Sequence, residues 1–257
     1  MNRIETAFAT AKQESRAAFI AYLPAGFPTL TGFASAAKTI LEYADALEIG
    51  LPYSDPLGDG PTIQKAGERA LENGMTVAGT FAAARALRQE TEKALFIMTY
   101  YNPILATGEA EFVAGAVAAG VDGLILPDLP PDEAETLIPI AEQAGLKLTF
   151  LLAPTSTQDR IDLVSAASSG FIYAVSVTGV TGARVGIPEE VPVMVQKIKA
   201  STQKPVAVGF GVSNFETAQA VAKVADGVVV GSALVTAAAN GEGLAQLCAE
   251  IKAGCAK

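Results

Sequence analysis

The chain has 257 residues, half of them apolar and 18% charged, the size and balance of a single globular α/β domain with a large core. A net charge of −9, with no long Lys/Arg run, argues against a nucleic-acid or anionic-membrane surface. Histidine is absent, which excludes imidazole acid–base catalysis, Ser-His-Asp and Cys-His arrangements, and any His-ligated metal site.

In chain order, residues 2–13 have helical periodicity and no uninterrupted apolar h-region, so a soluble, cytoplasmic, non-exported protein is expected. Apolar runs follow at 18–23, 45–49, 94–99, 122–126, 147–152, 171–175, 205–208 and 226–230. Between and after them lie helix-like segments at 33–43, 61–72, 109–119, 132–143, 157–167, 189–200, 214–223 and 242–253, with extra material at 76–90. Strands alternating with helices imply βαβ units and a parallel sheet, and eight units in this length favour a closed (β/α)8 TIM barrel. No linker or shift in composition marks a boundary, so residues 1–257 are expected to form one domain. Cys248 and Cys255 lie in the last helix, about 10 Å apart if it is regular, too far for a disulfide and in keeping with a reducing compartment.

Three strands open on the same pattern, Ala44-Asp45-Ala46-Leu47, Val121-Asp122-Gly123-Leu124 and Ala225-Asp226-Gly227-Val228. Aspartates at strand starts sit on the barrel face that serves stability, so Asp45, Asp122 and Asp226 read as structural. Side-chain alternation turns Leu47 and Ile49 toward the helices and Ala46 and Glu48 toward the axis. An inward carboxylate near the C-terminal end of a barrel strand is where catalysis sits in this fold.

After Glu48 comes a long loop, Gly50 to Pro61, holding Asp55 and Asp59. Two carboxyls at one mouth, one dry and one wetter, can have their pKa values pushed apart. Asp-Pro and Asp-Gly are also ordinary turn pairs, so Asp55 reads as structural or interfacial, and the residues alone leave Asp59 open. At the ends of the seventh and eighth strands, Gly209-Phe210-Gly211-Val212-Ser213-Asn214 and Gly231-Ser232-Ala233-Leu234 contain no Lys or Arg. Glycine turns at these two strands suit a phosphate held by backbone N–H groups and a helix N-terminus. The loop 176–188, with Gly179, Gly182 and Gly186, reads as a lid over the mouth.

From Phe8 to the last helix the sequence resembles the alpha-subunit family of tryptophan synthase. The stretch Glu48–Pro61 carries the likeness, supported by Ala25-Gly26-Phe27-Pro28, Tyr100-Tyr101-Asn102-Pro103, Asp128-Leu129-Pro130, Thr178-Gly179-Val180-Thr181-Gly182, Gly209-Phe210-Gly211 and Gly231-Ser232. The resemblance implies a lyase that converts indole-3-glycerol phosphate to indole and glyceraldehyde 3-phosphate, with no metal or organic cofactor in this chain. It gives Glu48 the proton transfers and Asp59 the indole N–H and the positive charge that develops on the ring. It places Tyr22, Met98, Tyr100, Ile125, Leu151 and Tyr173 around the substrate, with Thr181 reaching Asp59 from the lid. Gly182, Phe210, Gly211, Gly231 and Ser232 map onto the phosphate site. Pro52, Asp55 and Asn102 lie in segments that meet a pyridoxal-phosphate-containing beta subunit in an αββα heterotetramer. Tyr22, Met98, Pro127 and Gly58 depart from common members of the family, where Phe, Leu, Ala and Ala often stand, which bears on pocket shape and loop stiffness. A free-standing lyase that releases indole and a catalytically dead allosteric barrel are the competing readings; the presence of both Glu48 and Asp59 speaks against the second.

Overall fold

Each apolar run becomes a parallel strand paired with the next, and the eighth returns to the first, so the sheet closes into a barrel. The computed structural model describes residues 2–175, 188–209 and 211–257. The strands are β1 (Ala18–Pro24), β2 (Ala46–Gly50), β3 (Ala94–Met98), β4 (Gly123–Leu126), β5 (Lys147–Leu152), β6 (Ile172–Val175), β7 (Val206–Gly209) and β8 (Gly227–Val230). Around them run α1 (Arg3–Gln13), α2 (Leu30–Tyr43), α3 (Pro61–Glu72), α4 (Val77–Arg88), α5 (Tyr101–Thr107) and α6 (Glu109–Ala118). The second half adds α7 (Leu137–Ala144), α8 (Gln158–Ala167), α9 (Glu190–Ser201), α10 (Phe215–Ala222), α11 (Ser232–Asn240) and α12 (Leu244–Gly254). This is the expected (β/α)8 barrel.

Helix starts follow side chains that satisfy the first free N–H groups. Asn2 and Glu5 form a reciprocal capping box on α1, Asn214 and Thr217 form one on α10, and Thr29, Thr76 and Thr157 cap α2, α4 and α8. The expected helix at 132–143 is shorter and later than its periodicity suggests. Pro130 and Pro131 lack amide donors, Pro131–Glu133 form one 3-10 turn, and the α-helix begins only at Leu137. Helices α5 and α11 were not anticipated, because Asn102-Pro103 and Gly231-Ser232 read as loop chemistry.

Alternation along the strands sorts the core into two layers. Leu47, Ile49, Leu95 and Ile97 face the helices, while Ile20, Ala46, Phe96, Ile125, Phe171 and Val229 fill the barrel. Helix α1 closes the bottom with Ile4, Phe8 and Ala11, all buried in the same inner cluster. The Phe171 ring lies 5.6 Å from Phe8 and 5.4 Å edge-on from Phe96, so the plug and the barrel share one aromatic contact.

The aspartates at the strand starts act as clasps. Asp45, before β2, accepts the Phe19 N–H of β1 at 2.8 Å, and Asp122, before β4, accepts the Leu95 N–H of β3 at 2.9 Å. Asp226, before β8, accepts the Val206 N–H of β7 at 3.0 Å. Between β5 and β6, Ser169 and Ser168 accept from Leu148 and Phe150 at 2.9 and 3.3 Å. Cations complete the carboxylate sites: Arg16 and Lys252 on Asp45, Arg88 and Arg3 on Asp122, and Lys199 on Asp226.

Candidate active site

Glu48 is the third of the five residues of β2, paired in register with Tyr22 on β1 and Phe96 on β3. Its side chain points into the barrel and is fully buried. Neither carboxylate oxygen has a hydrogen-bond partner among the described residues. A charged carboxylate without a donor is expensive in such a place, and burial pushes the Glu48 carboxyl up to about 8. At neutral pH it holds its proton.

Asp59 enters from the loop between β2 and α3. It is only partly buried. Burial pushes its carboxyl up to about 6, with the Tyr100 hydroxyl pulling it partly back. The loop is shaped by three contacts: Leu51 N–H donates to Met98 O at 2.9 Å, Gly58 N–H to the Tyr100 hydroxyl at 2.9 Å, and Gln64 Nε2 to Asp59 O at 2.9 Å. Near pH 7 the pair therefore offers one protonated acid and one carboxylate, a division set by environment rather than residue type.

Two tyrosines stand over Glu48. Burial, with Asp59 and Glu48 adding to it, raises the Tyr22 hydroxyl well above its ordinary value. Burial and Glu48 do the same to Tyr173, so both stay protonated. Glycines make room for them: a Cβ at Gly50 would collide with the Tyr22 hydroxyl, and one at Gly209 would lie 2.7 Å from the Tyr173 hydroxyl. Met98, Ile125 and Leu151 project from β3, β4 and β5 into the same interior, Leu151 in register with Tyr173.

Gly211, Gly231 and Ser232 lie past the ends of β7 and β8, with Ser232 opening the nine-residue α11. Gly211 has φ of +41°, a conformation that favours glycine. Thr181, Gly182 and Phe210, and residues 176–187 of the expected lid at 176–188, lie outside the described residues. Pro52 and Asp55 lie within the Asp59 loop, Asp55 exposed, and Asn102 Nδ2 reaches the loop by donating to the Tyr53 hydroxyl at 3.1 Å. Tyr53, Gln64 and Asp128 also shape this mouth; Tyr53 falls within the Glu48–Pro61 stretch and Asp128 opens the Asp128–Pro130 match, but none of the three has a role of its own in the sequence reading.

A barrel whose strand ends gather a dry acid, a second carboxylate and two glycine turns defines an acid–base enzyme for a small ligand spanning the mouth. Residues 8–257 match the family described as tryptophan synthase alpha chain. The tryptophan synthase alpha chain of Deinococcus radiodurans is 53% identical over 256 residues, 99% of this chain and 95% of that one. That of Geotalea daltonii is 48% identical over 236 residues, covering 91% and 89%. Among solved structures, tryptophan synthase from Mycobacterium tuberculosis superposes with a TM-score of 0.94 at 42% identity, covering 100% of this chain and 99% of that one. A mutant alpha-subunit from Pyrococcus furiosus gives 0.85 at 36%, covering 92% and 98%. The chain belongs to the tryptophan synthase alpha-chain family and is a lyase acting on indole-3-glycerol phosphate.

Proposed function

We propose that residues 1–257 work as one barrel unit in which Glu48 moves the protons and Asp59 stabilises the ring. The observation that carries this reading is Glu48 itself, a fully buried inward carboxyl with no hydrogen-bond partner among the described residues. Protonated Glu48 gives its proton to C3 of the indole ring, and positive charge develops toward the ring nitrogen. Ionised Asp59 accepts the indole N–H and stabilises that charge. Glu48, now a carboxylate, takes the proton of the glycerol hydroxyl; its electrons form the aldehyde carbonyl as the carbon–carbon bond breaks and the ring recovers its electron pair. Indole and glyceraldehyde 3-phosphate leave, and Glu48 is protonated again.

In this reading Tyr22, Met98, Tyr100, Ile125, Leu151 and Tyr173 surround the indole and glycerol portions. Gly211, Gly231 and Ser232 receive the phosphate on backbone donors and the α11 dipole. For Thr181, Gly182 and Phe210 the support is the sequence resemblance. The chain uses no organic cofactor or metal of its own, and works in the cytoplasm. Through Pro52, Asp55 and Asn102 it docks on a pyridoxal-phosphate beta subunit in an αββα heterotetramer. No helix among the described residues is long and apolar enough to cross a membrane.

The test is direct. Purified chain mixed with indole-3-glycerol phosphate should release indole, and more slowly without than with a beta chain. Glu48→Gln should still bind glycerol phosphate but form no indole; turnover like the wild type's in that variant removes Glu48 from the role.

A further inference from the structure

We propose that Asp128 is a positioning residue for Asp59, acting through the peptide that joins Tyr100 to Tyr101. The inference rests on the role given above to Asp59. Asp128 follows β4, and its carboxylate accepts the Tyr101 N–H at 2.9 and 3.2 Å. Tyr101 opens α5, whose N-cap, Tyr100, makes no side-chain cap bond. A carboxylate from the neighbouring strand thus does the work of a cap and pins the backbone where the chain leaves β3.

From that pinned point two side chains grip the Asp59 loop. The Tyr100 hydroxyl accepts Gly58 N–H at 2.9 Å and borders Asp59, whose charge it favours. Asn102 Nδ2 donates to the Tyr53 hydroxyl at 3.1 Å, and the Tyr53 and Tyr100 rings lie 5.6 Å apart. The fit is close: a Cβ at Gly58 would stand 3.2 Å from the Tyr100 hydroxyl. Tyr101, between the two, donates its own hydroxyl to Glu109 at 2.9 Å, so its ring is anchored away from the loop. Tilting the 100–101 peptide would move Tyr100 and Asn102 together.

The Asp128 carboxylate has no other evident employment. No Lys or Arg pairs with it among the described residues, and Arg160, which lines the same cavity of about 320 Å³, is engaged with Asp132 at 2.6 Å. Asp128 is exposed on one side, and the partial burial of its carboxyl pushes it up from its usual range, which the N–H groups of Tyr101 and of Asp128 itself in part offset.

Steady-state kinetics with indole-3-glycerol phosphate tests the chain of contacts. Asp128→Ala should lower kcat by about 10- to 50-fold while KM stays within about threefold, because reactive geometry is lost and the phosphate end is untouched. Asp128→Asn, which keeps an oxygen for the Tyr101 N–H, should recover most of the rate. In a Tyr100→Phe background, Asp128→Ala should cost several-fold less than it does in the wild type, since the Tyr100 link is already cut and only the Asn102 one remains. A residue that merely stabilises the fold would lower the melting temperature and leave kcat alone, or multiply independently with Tyr100→Phe; either result overturns the proposal. Should Asp128→Ala fail to fold, Tyr101→Pro removes the same hydrogen bond from the donor side. Proline suits a first helical position, and Tyr100 already has the extended ψ of 158° that precedes proline. That variant should lose kcat by a similar factor, and an unchanged kcat overturns the proposal. Asp59→Asn is measured alongside: full activity there defeats the role of Asp59, whereas a dead Asp59→Asn with independent Asp128 and Tyr100 effects defeats only the present inference.

Discussion

Replacing Glu48 by glutamine should remove activity and, in alkaline solution, strengthen the fold. The unfolded chain releases the Glu48 proton near its ordinary 4.5, whereas the folded barrel keeps it to about 8. Between those values the folded state binds one proton more, so the wild type loses stability as pH rises through the window. The full difference corresponds to about 5 kcal/mol above pH 8, accumulating at about 1.4 kcal/mol per pH unit. Glutamine does not titrate. Its amide enters a site where Glu48 has no partner among the described residues, a roughly constant penalty of about 1–3 kcal/mol. The variant should therefore be the less stable protein at pH 5 and the more stable at pH 9, by about 2–4 kcal/mol, with the curves crossing between. Urea unfolding of both proteins at each pH unit from 5 to 9 measures this. A stability difference that does not change with pH would refute the reasoning, because it would mean that Glu48 titrates alike in the folded and unfolded states.

The same pair predicts the pH–rate profile. With Glu48 needed protonated and Asp59 ionised, kcat/KM should form a plateau bounded near pH 6 and pH 8, and Asp59→Asn should lose at least tenfold in rate and the acid limb with it. An acid limb that survives in Asp59→Asn belongs to another group. At the opposite end of the barrel, burial raises the Asp45 carboxyl but Arg16, the Phe19 N–H and Lys252 more than offset it, holding it below its ordinary value of 3.8. Asp45→Ala should cost about 3–5 kcal/mol at pH 7 in a denaturant melt, with the gap closing as pH falls below about 4 and the wild-type carboxylate is protonated. Residual folded variant should turn over substrate normally; a specific loss of kcat would mean that the two ends are coupled.

The barrel was legible because its strands are short apolar runs of β-branched and leucine residues, while the helices carry a different period. Glu48 was legible for the same reason: alternation with Leu47 and Ile49 decides which way it points. Alternation stops at the strand end, however, and Asp59 could be given a role only through resemblance. Its placement depends on Tyr100, Gln64 and Gly58, contacts that no local period encodes. Asp128 was invisible as a functional residue because its partner, the Tyr101 N–H, lies 27 positions away and is a backbone atom. The 132–143 segment failed for a local reason, since the Pro130-Pro131 pair overrode helical periodicity for the following turn.

The clasps at the strand starts have a consequence for how the chain can be divided. Each joins an odd-numbered strand to the even-numbered one that follows it, so the barrel is assembled from four parallel β-α-β pairs, each latched within itself. A cut in the connection 127–146, between β4 and β5, leaves every latch inside one fragment, two in each half. A cut between β3 and β4 would strand Asp122 on the wrong piece, away from the Leu95 amide it accepts and the Arg88 that neutralises it. Two co-expressed halves divided at the first point should find each other and regain lyase activity more readily than halves divided at the second, and equal recovery would mean that the latches do not set the seams of this molecule.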